Sequence, residues 1–212
     1  MKEYYVPAGR GESEYVEKRS SFLGYVMPVK TEDEAREFIE EIKKEHYGAR
    51  HNCWCYSIKD GPERYSDDGE PQGTAGIPML EVFRREGITD FVCVVTRYFG
   101  GVLLGTGGLL RAYTKAAKDA LEEAGIAEVR SWTECALPCE YAHFERYKKA
   151  AADVSAIITD TVYAERITLQ LMLPSEYIED FANEISDICL GTPNLTILGE
   201  KFSAVPLHPS EA

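Results

Sequence analysis

The chain reads as an α+β protein of two domains, residues 1–130 and 131–212, and three patterns predict this. A capping box opens an amphipathic helix after an early strand. Two glycine-rich segments each lead into a helix, and the tail twice repeats the order strand, helix, strand. Of the 212 residues 44% are hydrophobic, with 13 Tyr and 8 Phe, which is enough apolar material for the chain to fold throughout.

The first strand runs from Ser21 to Val29. Thr31 and Glu34 then form the T-x-x-E box that starts a helix to about Glu45, with Ala35, Phe38, Ile39 and Ile42 on one face and Glu32, Arg36, Glu40 and Lys43 on the other. His51 to Lys59 alternates as a strand should, with Asn52, Trp54, Tyr56 and Ile58 on one side and His51, Cys53 and Cys55 on the other. A helix from about Thr74 to Glu86 accommodates Pro78 because proline is tolerated in a first turn. Phe91 to Val95 is apolar on both faces, as a central strand is, and Arg97 should emerge where it ends. Thr106 to Ala124 is a long helix, stopped by Gly125.

Beyond Val129 the order is strand (to Pro138), helix (Ala142–Asp153), strand (Ala156–Tyr163), strand (Arg166–Leu173), helix (Ser175–Leu190) and strand (Leu195–Val205). This βαββαβ order is the mark of a ferredoxin-like domain, in which two helices cover one face of a four-stranded sheet.

A formal charge of -13 disfavours nucleic-acid binding driven by the field of the whole protein. The imbalance is uneven: 18 basic and 23 acidic residues lie in 1–130, against 5 and 13 beyond. No apolar run is long enough to span a bilayer and the first residues form no signal-peptide core, so a cytoplasmic protein without a membrane partner is expected. The six Cys (53, 55, 93, 135, 139, 189) sit mostly in apolar runs and read as reduced, packed thiols. Zinc on His51, Cys53 and Cys55 is disfavoured because strand residues i and i+4 stand roughly 13 Å apart. Nucleophile elbows, His-Glu-x-x-His and paired CxxC motifs are all absent from the sequence.

Chemistry is therefore sought in the glycine-rich segments. Arg97 to Gly108 joins a buried strand to a helix start, where backbone amides attract anions. Gly100, Gly101, Gly105, Gly107 and Gly108 permit positive φ and close approach, with Arg97 and Arg111 near enough to join in. The spacing is not that of a P-loop, because Thr106-Gly107 stands where Lys-Ser/Thr is needed. The alternative is that these glycines serve a tight crossover and helix packing. Arg111, Lys115 and Lys118 continue as a basic stripe, the best place in an acidic chain for a phosphate-bearing partner.

Ser66 to Gly76 carries Asp67, Asp68 and Glu70, enough carboxylates to hold Mg²⁺ or serve as acid and base, or to make an Asx turn and a charged helix cap. Of these readings the capped turn is preferred, and no cofactor or metal is assigned.

These two segments, S-D-D-G-E-P-Q-G-T-A-G and V-V-T-R-Y-F-G-G-V-L-L-G-T-G-G-L-L-R-A-Y, with A-R-H-N-C-W-C-Y upstream, resemble the hallmark motifs of the IMPACT/YigZ family. The likeness covers residues 15 to 128, and the tail resembles the second domain of the bacterial YigZ branch. Cys55 departs from it, standing where Ala is expected. The resemblance implies a two-layer α/β first domain like domain IV of elongation factor G, also similar to galactokinase-type kinases, and a tail like domain V of that factor. It implies no catalytic residue. The translational role of eukaryotic members runs through an N-terminal partner-binding domain outside these residues and is not carried over. The leading expectation is a non-enzymatic protein that binds RNA, the ribosome or a translation factor. The alternatives are a Mg²⁺-dependent enzyme acting on a phosphorylated small molecule or nucleotide, and a protein-interaction module.

Overall fold

The structure, a computed structural model, describes residues 3–207. The chain divides between Val129 and Arg130, one unit being built on Tyr4–Val129 and the other on Arg130–Ser203. Among the described residues no helix is long and apolar enough to cross a membrane.

The first unit contains strands β1 (Tyr4–Pro7), β2 (Gly11–Glu17), β3 (Ser20–Pro28), β4 (His51–Ser57), β5 (Glu63–Ser66) and β6 (Phe91–Tyr98). Its helices are α1 (Glu32–Glu45), α2 (Gly76–Arg85) and α3 (Gly105–Ala124). An antiparallel sheet of order β2-β3-β6-β4-β5 is its frame. In the central β6 every residue from Phe91 to Arg97 is buried, because helices cover both faces. Phe91, Cys93 and Val95 pack with Phe22, α2 and α3, whereas Val92 and Val94 pack with Tyr25, Tyr56 and α1. The unit thus has three layers where two were expected. The first helix lies on the opposite side of the sheet from the other two, which is why so little of β6 alternates.

Local chemistry accounts for the element ends. Thr31 Oγ1 accepts from the Glu34 amide at 3.2 Å, as the predicted box requires, and the Glu34 carboxylate reaches back to accept from the amide of Lys30, one residue before the cap, at 2.6 Å. In α3 the small residues Ala112, Ala116, Ala117 and Ala120 are buried, which lets the helix lie close to the sheet. Ala116 O accepts from Ser13 Oγ at 2.8 Å. Strands β1, β2 and β5 were not foreseen: β2 alternates largely charged with polar residues, and β1 and β5 have only four residues each.

The boundary falls within β7 (Ile126–Cys139), whose first residues pair with β1. The second unit contains the rest of β7, α4 (Phe144–Asp153), β8 (Ile157–Tyr163), β9 (Ile167–Pro174), α5 (Ile178–Cys189) and most of β10 (Thr196–Pro206). The strand order β10-β7-β9-β8 is that of a ferredoxin-like sheet. Cys135, Leu137, Cys139, Ile167, Leu169, Leu171 and Leu173 share one face and meet Tyr147, Ala150, Phe181 and Ile185 from both helices. All six cysteines are free and five are buried. Burial pushes the Cys135 thiol up to about 11, as expected of a packing thiol.

Candidate functional site

The two glycine-rich segments meet through side chains inside the first unit. Arg97 stands in register with Phe22 of β3 and His51 of β4, on the sheet face covered by α2 and α3. It does not emerge at the strand end as expected but is buried, because β6 continues to Tyr98. Its Nη1 donates to Glu70 Oε1 at 2.6 Å, and Tyr113 OH donates to the same oxygen at 2.9 Å. The side chains of Arg97 and Glu70 are 7% and 4% exposed. Arg97 Cζ lies 5.5 Å from the ring centroids of both Phe22 and Phe99, and its Nε is buried without a hydrogen-bond partner. Burial pushes the Tyr113 hydroxyl far above its ordinary range, and Cys53 and Glu70 add to the effect, so Tyr113 is a fixed donor. Burial likewise raises the Cys53 thiol, whose Sγ donates to Asp67 O at 3.0 Å.

The loop that delivers Glu70 is held by the acidic residues around it. Asp67 Oδ2 accepts from the Gly73 amide at 2.7 Å, and Oδ1 accepts from the amides of Ala75 and Gly76 at 3.0 and 2.8 Å, so this carboxylate caps α2. Asp68, in the left-handed region at φ 43°, accepts from the Asn52 amide at 2.7 Å, and its carbonyl accepts from His51 Nδ1 at 2.8 Å. Each of the three carboxylates is thus committed to a different partner. They do not converge as a metal or acid-base set, and the described residues contain no cluster of metal-ligating side chains. The capped-turn reading describes Asp67, whereas the Asp68 carboxylate ties the loop to β4 and Glu70 is half of a buried ion pair.

In the second segment the glycines differ in role. A Cβ on Gly100 would lie 2.0 Å from the Arg19 carbonyl carbon, so this position is glycine because the loop docks on the turn between β2 and β3. The Gly100 amide donates to Ser20 Oγ at 3.1 Å. Gly105 opens α3 at φ +73°, a conformation strained for other residues. Gly101 lies in the exposed turn, Gly108 packs on Leu104, and nothing but Arg111 approaches Gly107. The rim of the loop is apolar and exposed, with Phe99 at 53% and Leu103 at 82%.

Thr31 caps α1, and at α2 the distant Asp67 accepts from the first amides. Like α2, α3 has no cap from its own N-cap side chain and no acidic residue in its first turn, but among the described residues no side chain accepts from its first amides in the way Asp67 does at α2. Instead Arg111 Nη1 lies 3.7 Å from where a Gly107 Cβ would be, which sets a guanidinium beside that turn. A cation is unfavourable at the positive end of a helix dipole. The rest of the basic stripe is locally neutralised, since Lys115 pairs with Asp119 and Lys118 with Glu122. Arg111 is exposed and has no carboxylate partner among the described residues. Of the cations expected to face phosphate, Arg97 is buried against Glu70, Lys115 is paired with Asp119, and Arg111 is exposed at the start of α3.

Both units match families of known proteins. The Impact N-terminal domain matches residues 18–121, and a domain of unknown function, DUF1949, matches residues 137–192. The IMPACT family member YvyE of Bacillus subtilis is 36% identical over 197 residues, covering 89% of this chain and 91% of that protein. The IMPACT family member YigZ of Escherichia coli is 31% identical over 204 residues, 94% of this chain and 100% of that protein. A solved structure, titled as that of a hypothetical protein, superposes with a TM-score of 0.59 at 30% identity and covers 94% of this chain.

Proposed function

This chain belongs to the IMPACT family, and from that premise we propose that it is a translation-associated binding protein whose partner is RNA on the ribosome. The observation that carries the proposal is Arg111 at the uncapped start of α3. A guanidinium and several unpaired amides there share no internal anion, and a phosphate group would satisfy both. Phe99 and Leu103 supply exposed apolar surface on the same segment, suited to packing on a base or sugar. The Arg97–Glu70–Tyr113 network makes the site pre-organised, because it anchors both glycine-rich segments to the core.

With a net charge of -13, such binding depends on a local feature working against the overall field, and with one arginine engaging phosphate its salt dependence should be shallow, a slope of about -1 in log K against log salt. The test is sedimentation with purified ribosomes at low and moderate salt. The wild-type protein should pellet at low salt and Arg111→Ala should remain in the supernatant. Absence of wild-type protein from the ribosomal fraction at both salt concentrations refutes the proposal.

A further inference from the structure

The face of the sheet that carries α1 is only partly covered by it. At its edge, between α1 and strands β4 and β5, lies a groove of about 390 Å³ lined by Arg36, Glu40, Lys43, Trp54, Tyr56 and Arg64. The volume is within the range of small-molecule sites, roughly 300–1,000 Å³. Its floor is aromatic: the rings of Trp54 and Tyr56 stack with centroids 5.6 Å apart and planes within 9°. Tyr56 is buried and Trp54 half-buried, so Trp54 is the outer ring of the stack.

Strand register puts a cation on the same face. Tyr56 of β4 pairs directly with Arg64 of β5, and directly opposed residues project to one side of a sheet. Arg64 is exposed, and among the described residues its guanidinium donates only to the backbone carbonyl of Glu63, at 3.1 Å. Across the groove α1 contributes Arg36 and Lys43. Arg36 pairs with Glu32, and Lys43 with Glu40 at 3.1 Å, so those two cations are partly neutralised and Arg64 carries the unopposed charge.

We propose that this groove is a second binding site, for a nucleotide unit whose base stacks on Trp54 and whose phosphate is held by Arg64. An aromatic platform beside a guanidinium is the combination by which proteins hold a base and its phosphate without reading sequence. The same chemistry is offered by a free nucleotide or by one residue of a single strand. The site is separate from the Arg111 surface and does not depend on the reading of it.

Trp54 is its own reporter. The chain has two Trp, and Trp132 is only 4% exposed. Trp132→Phe therefore leaves Trp54 as the single tryptophan, to be excited selectively at the red edge where tyrosine does not absorb. Titration with AMP and with a short unpaired RNA oligomer should quench it saturably, while inorganic phosphate should act more weakly than either. Arg64→Ala should weaken binding by about tenfold, and Trp54→Ala by at least as much when read by equilibrium dialysis. If Trp132→Phe fails to fold, the unaltered chain compared with Trp54→Phe gives the same readout. Equal affinity for AMP and oligomer identifies a free nucleotide as the occupant, and much tighter oligomer binding identifies a single strand. The proposal is overturned if neither quenches saturably, if phosphate alone binds as tightly as AMP, if Arg64→Ala binds like wild type, or if an acidic peptide quenches where nucleotides do not.

Discussion

Removing the Glu70 carboxylate is the sharpest test of how the two glycine-rich segments are held. Glu70→Ala leaves the Arg97 guanidinium buried with its Nη1 unpaired, in addition to an Nε that already has no partner, and takes the acceptor from Tyr113 OH. Breaking one side of a buried ion pair typically costs about 3–5 kcal/mol, because the remaining charge stays desolvated. Arg97→Ala should fall in the same range for the same reason. The pair itself is a different matter, since its desolvation offsets much of its attraction. Replacing all three members with apolar groups of similar size, Glu70→Leu, Arg97→Met and Tyr113→Phe, should therefore bring stability back to within about 1–2 kcal/mol of wild type. Urea unfolding followed by tryptophan fluorescence gives these values from midpoints at constant slope. Singles costing less than about 1 kcal/mol, or a triple variant no better than the singles, would refute the reasoning.

Other consequences can be measured on the same footing. Arg111→Ala should raise stability by about 0.3–1 kcal/mol in urea, because it removes a cation from a helix N-terminus, while abolishing ribosome sedimentation. Gly100→Ala should cost about 1–3 kcal/mol, since its Cβ would have to fit 2.0 Å from the Arg19 carbonyl carbon, and circular dichroism on heating would register the loss. In alkaline solution burial pushes the Tyr25 hydroxyl up to about 12 from the ordinary 10. The unfolded chain then loses this proton first, so stability is fully present below pH 10 and declines as pH rises towards 12. Tyr25→Phe should flatten that decline in unfolding curves measured across the range.

What could be read from the sequence and what could not follow a physical line. Elements whose signal is local were legible: the Thr31 box, the α3 pattern ended by Gly125 at φ +68°, and the βαββαβ order of the tail. Elements whose signal lies in their neighbours were not. The seven residues of β2 contain three Glu and form a strand because β3 and α3 lie against them, and nothing in the α1 pattern says which sheet face it will cover. The same division runs through the site. That Asp67 caps a turn follows from its place before a helix, and that reading was available from residue type and spacing alone. That Glu70, three residues on, turns inward to meet Arg97 and Tyr113 depends on partners 27 and 43 residues away. The Trp54 groove was half visible: alternation put Trp54 and Tyr56 on one face, but Arg64 joins them only through the register of a four-residue strand that carries almost no apolar signal. Exposed charge is where spacing says least about pairing. Lys115 belongs to the stripe on a helical wheel and pairs with Asp119 one turn later, whereas the next turn after Arg111 holds Lys115 in place of an acid, so within the stripe Arg111 has no carboxylate partner among the described residues.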